Sequence, residues 1–174
     1  FSLTLFAAAV ERAGLSEDLS NGTYTLFALD NAGFNRMGIR TVADLQEWSV
    51  DSLHRFVQNH LLPGRLLYED IPRSLDTRYE TVSEEVILLS YMEDGANIRP
   101  MVTANGVSLI LNPRASQDPY TFGTALLNGV VYPIPTPIKT TRANVQDFLA
   151  TQPDLSIFVA GLQKFGQWDR LATE

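Results

Sequence analysis

Tyr24-Thr25-Leu26-Phe27-Ala28-Leu29-Asp30-Asn31-Ala32-Gly33-Phe34 is the stretch on which the fold turns. Its aromatic, β-branched and apolar opening predicts a short buried strand from Tyr24 to Ala28. Asp30-Asn31 breaks that strand into a helical turn closing on Phe34. Upstream, Leu3, Phe6, Ala7, Val10 and Ala13 recur at helical spacing behind Ser2, a plausible N-cap. Gly14 ends that helix, because a glycine just past the last turn tolerates positive φ. Asn21-Gly22 is a turn leading into the strand, and the sequon Asn21-Gly22-Thr23 is read as that turn.

Downstream, Thr41 with Asp44 forms a capping-box pattern for a short helix ending near Trp48. Ser49 caps a second helix from Val50 to about Leu62, with Leu53, Phe56, Val57, His60 and Leu61 on one stripe. Pro63-Gly64 stops it. From Ser74 the character changes to β-like runs at Thr77 to Val82, Val86 to Tyr91, Asn97 to Thr103, Val107 to Leu111 and Gly129 to Ile134. Asn105-Gly106 predicts a tight hairpin. Pro133, Pro135 and Pro137 end the β region as a stiff linker.

The 174 residues suffice for one well-buried domain and part of another, and 45% hydrophobic with 19% charged residues is an ordinary globular balance. A net charge of −7 and 13 dispersed Lys and Arg offer no basic face, which disfavours nucleic acid and anionic membranes as partners. With no cysteine, disulfides, thiol catalysis and thiolate metal sites are excluded. No apolar run approaches the roughly 18 residues of a membrane span. The chain opens directly into an amphipathic helix with no signal peptide, as a mature or trimmed chain also would.

After the prolines the sequence turns helical again. Asp154, Leu155, Phe158, Leu162, Phe165, Gly166 and Leu171 match Ser2, Leu3, Phe6, Val10, Ala13, Gly14 and Leu19 at a constant offset of 152. Any two amphipathic helices share a stripe, but the terminating glycine and the distal leucine recur too, which points to an internal repeat. The expected organisation is one module over residues 1–139, then a linker and the opening helices of a second, truncated copy over 140–174.

Taken together, these residues resemble the fasciclin-like domain family. Tyr24 to Phe34 resembles its first signature, T-V-F-A-P-T-x-x-A-F. Leu53 to Leu62, with Asn59-His60, is similar to its tyrosine–histidine segment. Asn128-Gly129-Val130-Val131-Tyr132-Pro133-Ile134 resembles its closing signature, N-G-V-V-H-V-I. Order and spacing agree over residues 1–139, and tandem copies are common in the family. Leu29 replaces the signature proline, Asn59 the tyrosine and Tyr132 the histidine. The resemblance does not extend to the Asp-Ile pair through which some animal members bind integrins: Gly123-Thr124-Ala125-Leu126-Leu127 stands there instead.

The resemblance implies an α+β module, a β-wedge or sandwich of short strands with helices packed at the N-terminal half. It implies an extracellular or cell-surface location, with any lipid anchor lying outside this sequence, and an adhesion or interaction role towards a protein or glycan. It implies no activity and no cofactor. By this analogy the interaction segment is Asn59, His60, Leu61 and Leu62.

The chemistry-bearing residues have plainer explanations. His60 lies on an apolar stripe, where a neutral imidazole bonded to backbone is usual. His54 follows Asp51 by one turn, the spacing of a surface ion pair. Six residues separate the two histidines, so they project from different sides of a helix and cannot share a metal. Glu84-Glu85 and Glu93-Asp94 are adjacent pairs whose side chains diverge. There is no G-x-S-x-G elbow and no phosphate loop. No catalytic, cofactor-binding or metal site is therefore expected, and a hydrolase with a site near His60 ranks last. Tyr68, Tyr79, Tyr91, Tyr120 and Tyr132 carry the alternative, an accessory glycan-binding component of a bacterial surface polysaccharide-uptake system. Two of them on one solvent face, with the polar loop Gln117-Asp118-Pro119-Tyr120, would supply stacking for sugars.

Overall fold

The computed structural model describes residues 2–93, 101–109, 123–140 and 145–172. The strand expected from Asn97 lies partly outside them, as do Ile110-Leu111, Asp94 and the loop from Gln117 to Tyr120. The chain divides into two compact units, Phe1–Thr140 and Thr141–Glu174.

In the first unit, helix α1 (Thr4–Arg12) buries Leu5, Phe6 and Ala9, and α2 (Ser16–Asn21) leads to strand β1 (Tyr24–Leu29). Ser2 does not cap α1. Asn31, distant in sequence, does so at the surface: its Oδ1 accepts from the Leu5 N–H (3.1 Å), while its Nδ2 donates to Ser2 Oγ (3.0 Å) and Thr4 Oγ1 (2.8 Å). Gly14 takes φ +74° and closes the helix, with the Leu15 N–H bonded back to the Val10 carbonyl at 3.1 Å. Helix α3 (Asn31–Arg36) is capped by Asp30, which accepts from the Gly33 N–H at 2.6 Å. Asp44 accepts from the Arg40 and Thr41 N–H groups at 2.8 Å each, which holds its carboxyl below the usual carboxylate range. The turn it starts is a 3-10 turn, Asp44–Glu47.

Helix α4 (Val50–Gln58) is capped by Ser49 as expected, but it ends well before Leu62. Leu61–Pro63 is strand β2 instead. Both leucines are 2% exposed, and two consecutive residues buried on opposite faces suit a strand between packed layers better than one helix stripe. Four more short strands come next, β3 (Thr77–Glu80), β4 (Val86–Met92), β5 (Met101–Ala104) and β6 (Val107–Ser108), with Asn105-Gly106 making the β5–β6 turn. Then come β7 (Thr124–Leu126) and β8 (Gly129–Ile134).

Two four-stranded sheets result, ordered β2-β1-β8-β7 and β3-β4-β5-β6. The opening and closing signatures are direct neighbours: β1 and β8 run parallel over six rungs, Tyr24↔Gly129 to Leu29↔Ile134. Tyr24 and Asp30 donate to the Asn128 and Ile134 carbonyls, so even-numbered residues of β8 face β1. Pro133 faces the opposite side, beyond Val131, the last residue paired with β7, and its missing N–H therefore costs no rung there. Pro133 is thus inside a strand and not at the head of a linker.

The second unit holds α5 (Val145–Ala150), a 3-10 turn (Pro153–Leu155), α6 (Ser156–Lys164) and a 3-10 turn (Asp169–Leu171). The bounds of α6 are those of α1 displaced by 152, and Gly166 takes φ +65° where Gly14 takes +74°. The Gln167 N–H bonds to the Leu162 carbonyl at 2.9 Å, which repeats Leu15 to Val10 in the same register. Asp154, like Ser2, makes no cap.

Candidate functional site

The segment Asn59, His60, Leu61 and Leu62 is a junction in the core. The Asn59 amide oxygen accepts from the Ser83 hydroxyl. The His60 carbonyl accepts from the Phe27 N–H and the Leu61 carbonyl from the Val82 N–H, both at 2.9 Å. Leu61 and Leu62 pair with Leu26 and Thr25 of β1. One short segment thereby ties both sheets to α4.

The His60 ring is 1% exposed and sits against Phe56 (centroids 4.6 Å) and Phe6 (6.1 Å, edge-on). Nδ1 lies 2.8 Å from the Phe56 carbonyl, and Nε2 accepts from the Ile138 N–H at 3.1 Å. That pair of contacts fixes the neutral tautomer with its proton on Nδ1. Burial pushes the imidazole pKa down to about 4, against the opposing pull of the Phe56 carbonyl. Both nitrogens are committed to backbone, so the ring has no lone pair to offer a substrate.

His54 turns Nδ1 to the Ala13 carbonyl at 2.9 Å, closing the C-terminal end of α1. The ion pair expected with Asp51 does not form, while Arg73 and Glu93 pair at the surface. Tyr132, where the family signature has histidine, is fully buried, stacks on Phe27 (5.8 Å) and donates to the Leu66 carbonyl at 2.9 Å. Burial, reinforced by Glu69 and Asp70, raises its phenol well above the ordinary value. Tyr68 and Tyr91 are half-buried neighbours tilted by 42°, with the Arg73 guanidinium 5.7 Å over the Tyr91 ring. Tyr120 lies outside the described residues. These aromatic faces are engaged in packing.

Other structural anchors escaped sequence reasoning. The buried Thr25 hydroxyl donates to the Gly64 carbonyl (2.9 Å) and accepts from the Leu66 N–H (2.8 Å). Asn128 gathers the end of α2 through its Nδ2, which donates to the carbonyls of Leu19 (2.8 Å) and Gly22 (3.1 Å). A Cβ on Gly129 would stand 2.2 Å from the Tyr24 carbonyl oxygen, so only glycine lets β8 start against β1. The local signal was the Asn128-Gly129 pair itself, which serves as a side-chain clamp followed by a close approach.

Among the described residues no group of three or more His, Cys, Asp or Glu could hold a metal ion, and no helix is long and apolar enough to cross a membrane.

The arrangement has known counterparts. The fasciclin domain family model matches residues 1–122. No curated protein matches the sequence. Among solved structures, the FAS1 domain pair of the insect cell adhesion molecule fasciclin I superposes with a TM-score of 0.54 at 15% identity. The superposition covers 97% of this chain and 55% of that one, so this chain spans about half the length of the pair. At that identity the likeness is one of fold, an α+β architecture with helices α1 to α4 in the N-terminal half. The sequence match over 122 of 174 residues carries the assignment further: this chain belongs to the fasciclin domain family.

Proposed function

We propose that the chain is a non-enzymatic adhesion or interaction module, working outside the cell or at its surface, and the first of at least two tandem copies. The observation that carries the reading is the commitment of the polar core groups. His60, Thr25 and Tyr132 each bind backbone, and they lock β1, β2 and β8 into one rigid unit. A rigid core of this kind supports a fixed outer surface. Membership of the fasciclin domain family and the fold shared with an insect cell adhesion molecule favour that use. The departures at Leu29, Asn59 and Tyr132 leave it intact, since all three side chains pack or hydrogen-bond inside the unit.

Within Asn59 to Leu62 only Asn59 retains appreciable exposure. The segment acts by holding the outer faces of α4 and the β2–β3 connection, which meet a protein or glycan partner. Cells or matrix applied to surfaces coated with the chain should be retained above an unrelated domain of equal charge; retention at the control level overturns the role. Saturable polysaccharide binding lost with Tyr68→Ala and Tyr91→Ala would move the reading to the glycan-binding component. Ester or glycoside turnover lost in a folded His60→Ala variant would replace it with a hydrolase.

The tandem organisation, a first module over 1–139 and the opening of a second over 140–174, is supported by the matching bounds and glycine caps of α1 and α6. A parent reading frame that runs past Glu174 into a second strand like Tyr24 to Leu29 supports it. A stop codon there refutes it.

A further inference from the structure

Every asparagine side chain among the described residues is used by the fold, with one exception. Asn31 caps α1, Asn35 donates to the Ile39 carbonyl, Asn59 accepts from Ser83, Asn105 accepts from the Leu88 N–H, and Asn128 clamps the end of α2. Asn21, the last residue of α2, is exposed and its side chain makes no hydrogen bond among the described residues. The corner that it precedes is built without that side chain. The Gly22 N–H closes α2 on the Asp18 carbonyl at 2.8 Å, Asn128 Nδ2 holds the Gly22 carbonyl, and the Thr23 carbonyl accepts from the Gly64 N–H at 2.9 Å. Asparagine is also a poorer helix former than Gln, Glu or Lys, so α2 gains nothing from it.

The asparagine left over by the fold is also the one in the whole sequence that has Ser or Thr two residues on without proline between. Thr23 is exposed too, and its hydroxyl makes no hydrogen bond among the described residues. An unengaged amide and an unengaged hydroxyl at this spacing are the two groups that an N-linked acceptor presents. Gly22 between them is extended (φ −93°, ψ 174°). Helix α2 has six residues, none of them buried, so its last turn opens easily to a transferase. Two independent features, the spacing in the sequence and the idle side chains in the structure, meet at one position.

We propose that Asn21 is the attachment site of an N-linked oligosaccharide. The inference rests on the extracellular reading above, because the sugar donor meets chains on their way out of the cell. That donor is an oligosaccharide linked to a lipid pyrophosphate. Transfer forms a bond from Asn21 Nδ2 to the anomeric carbon and breaks the bond from that carbon to the pyrophosphate oxygen. The lipid pyrophosphate leaves, and the displaced amide proton passes to a base of the transferase.

The test exports the full chain from a eukaryotic host behind a foreign secretion signal, which makes it independent of where the parent protein resides. The expected result is a mass increase that peptide N-glycosidase removes, converting Asn21 to an aspartate that takes up label from heavy-oxygen water. Asn21→Gln and Thr23→Val lose the oligosaccharide, and Thr23→Ser keeps it. Both losing variants retain the Tm of the enzymatically deglycosylated native chain. Chain held inside the host is mapped in the same way, since transfer precedes folding. An unmodified Asn21 overturns the proposal, as does oligosaccharide that persists in Thr23→Val. A marked fall in Tm for Asn21→Gln also overturns it, by giving the side chain a structural task. Retention of cells on the coated chain is measured separately. Oligosaccharide without retention ends the adhesion role alone, and retention without oligosaccharide ends the site alone.

Discussion

Helices α1 and α6 share bounds, cap geometry and apolar spacing, yet bury opposite amounts of the same face. Leu5, Phe6 and Ala13 are 3%, 2% and 4% exposed, whereas Ile157, Phe158 and Phe165, their counterparts at +152, are 88%, 56% and 75% exposed. Local sequence is thus enough to fix where a helix starts and stops. Only α3, α4 and the β1–β8 sheet turn an apolar stripe into a core. α6 has the stripe and lacks the partners.

The comparison can be broken most sharply with its aromatic pair. Phe6→Ala should cost about 3–5 kcal/mol by urea unfolding, and Phe158→Ala no more than about 0.5 kcal/mol. Equal costs would mean that α6 is packed as tightly as α1. Acid gives the next largest effect, through His60 of the first unit. Buried His60 has its folded pKa depressed from 6.5 to about 4. Its contribution is therefore complete above pH 6.5 and is lost as pH falls towards 4, about 3 kcal/mol in all. Unfolding midpoints between pH 7 and 4.5 should fall further for the native chain than for His60→Asn; parallel profiles would show that the ring charges without leaving the core.

Glycines sharpen the contrast at smaller scale. Gly129→Ala forces a Cβ onto the Tyr24 carbonyl and should destabilise by about 1–3 kcal/mol. Gly161, the counterpart of buried Ala9, has open space around its Cβ, and Gly161→Ala should raise the helicity of α6 by up to about 1 kcal/mol. Smallest is the shared cap: Gly14→Ala and Gly166→Ala should each cost about 1 kcal/mol locally. Cα shifts at Leu15 and Gln167 would report it, and unequal losses would end the equivalence of the two helix ends.

What was legible in the sequence was what neighbouring residues decide. The break into a helical turn at Asp30-Asn31, Ser49 capping α4, the Asn105-Gly106 turn and the bounds of β8 all arise from chemistry within a few positions. Distant partners decided the rest. Leu61 continues the stripe of α4, but the Phe27 N–H takes the His60 carbonyl and draws the chain into the sheet as β2. Ser2 has the chemistry of a cap, but Asn31, 29 residues away, holds that end. α2 went unread because its acidic first turn, Glu17-Asp18, carries no apolar stripe of its own. Asn59 to Leu62 stands out in the packed structure for its connectivity, a property that no pattern within the segment itself could carry.

The parallel pairing of β1 and β8 also decides how the molecule would answer a pull. Tension entering through α1 reaches β1 at Tyr24, and tension leaving past Ile138 draws on β8 at Ile134, so the load falls on opposite ends of two codirectional strands. Six rungs are then sheared together instead of being unzipped in turn, and His60 braces the exit at Ile138. A module so strung should yield late and all at once on a pulling instrument, whereas gradual extension at low force would contradict that mechanical picture. Such a bond geometry suits a link in a chain that has to hold two surfaces together.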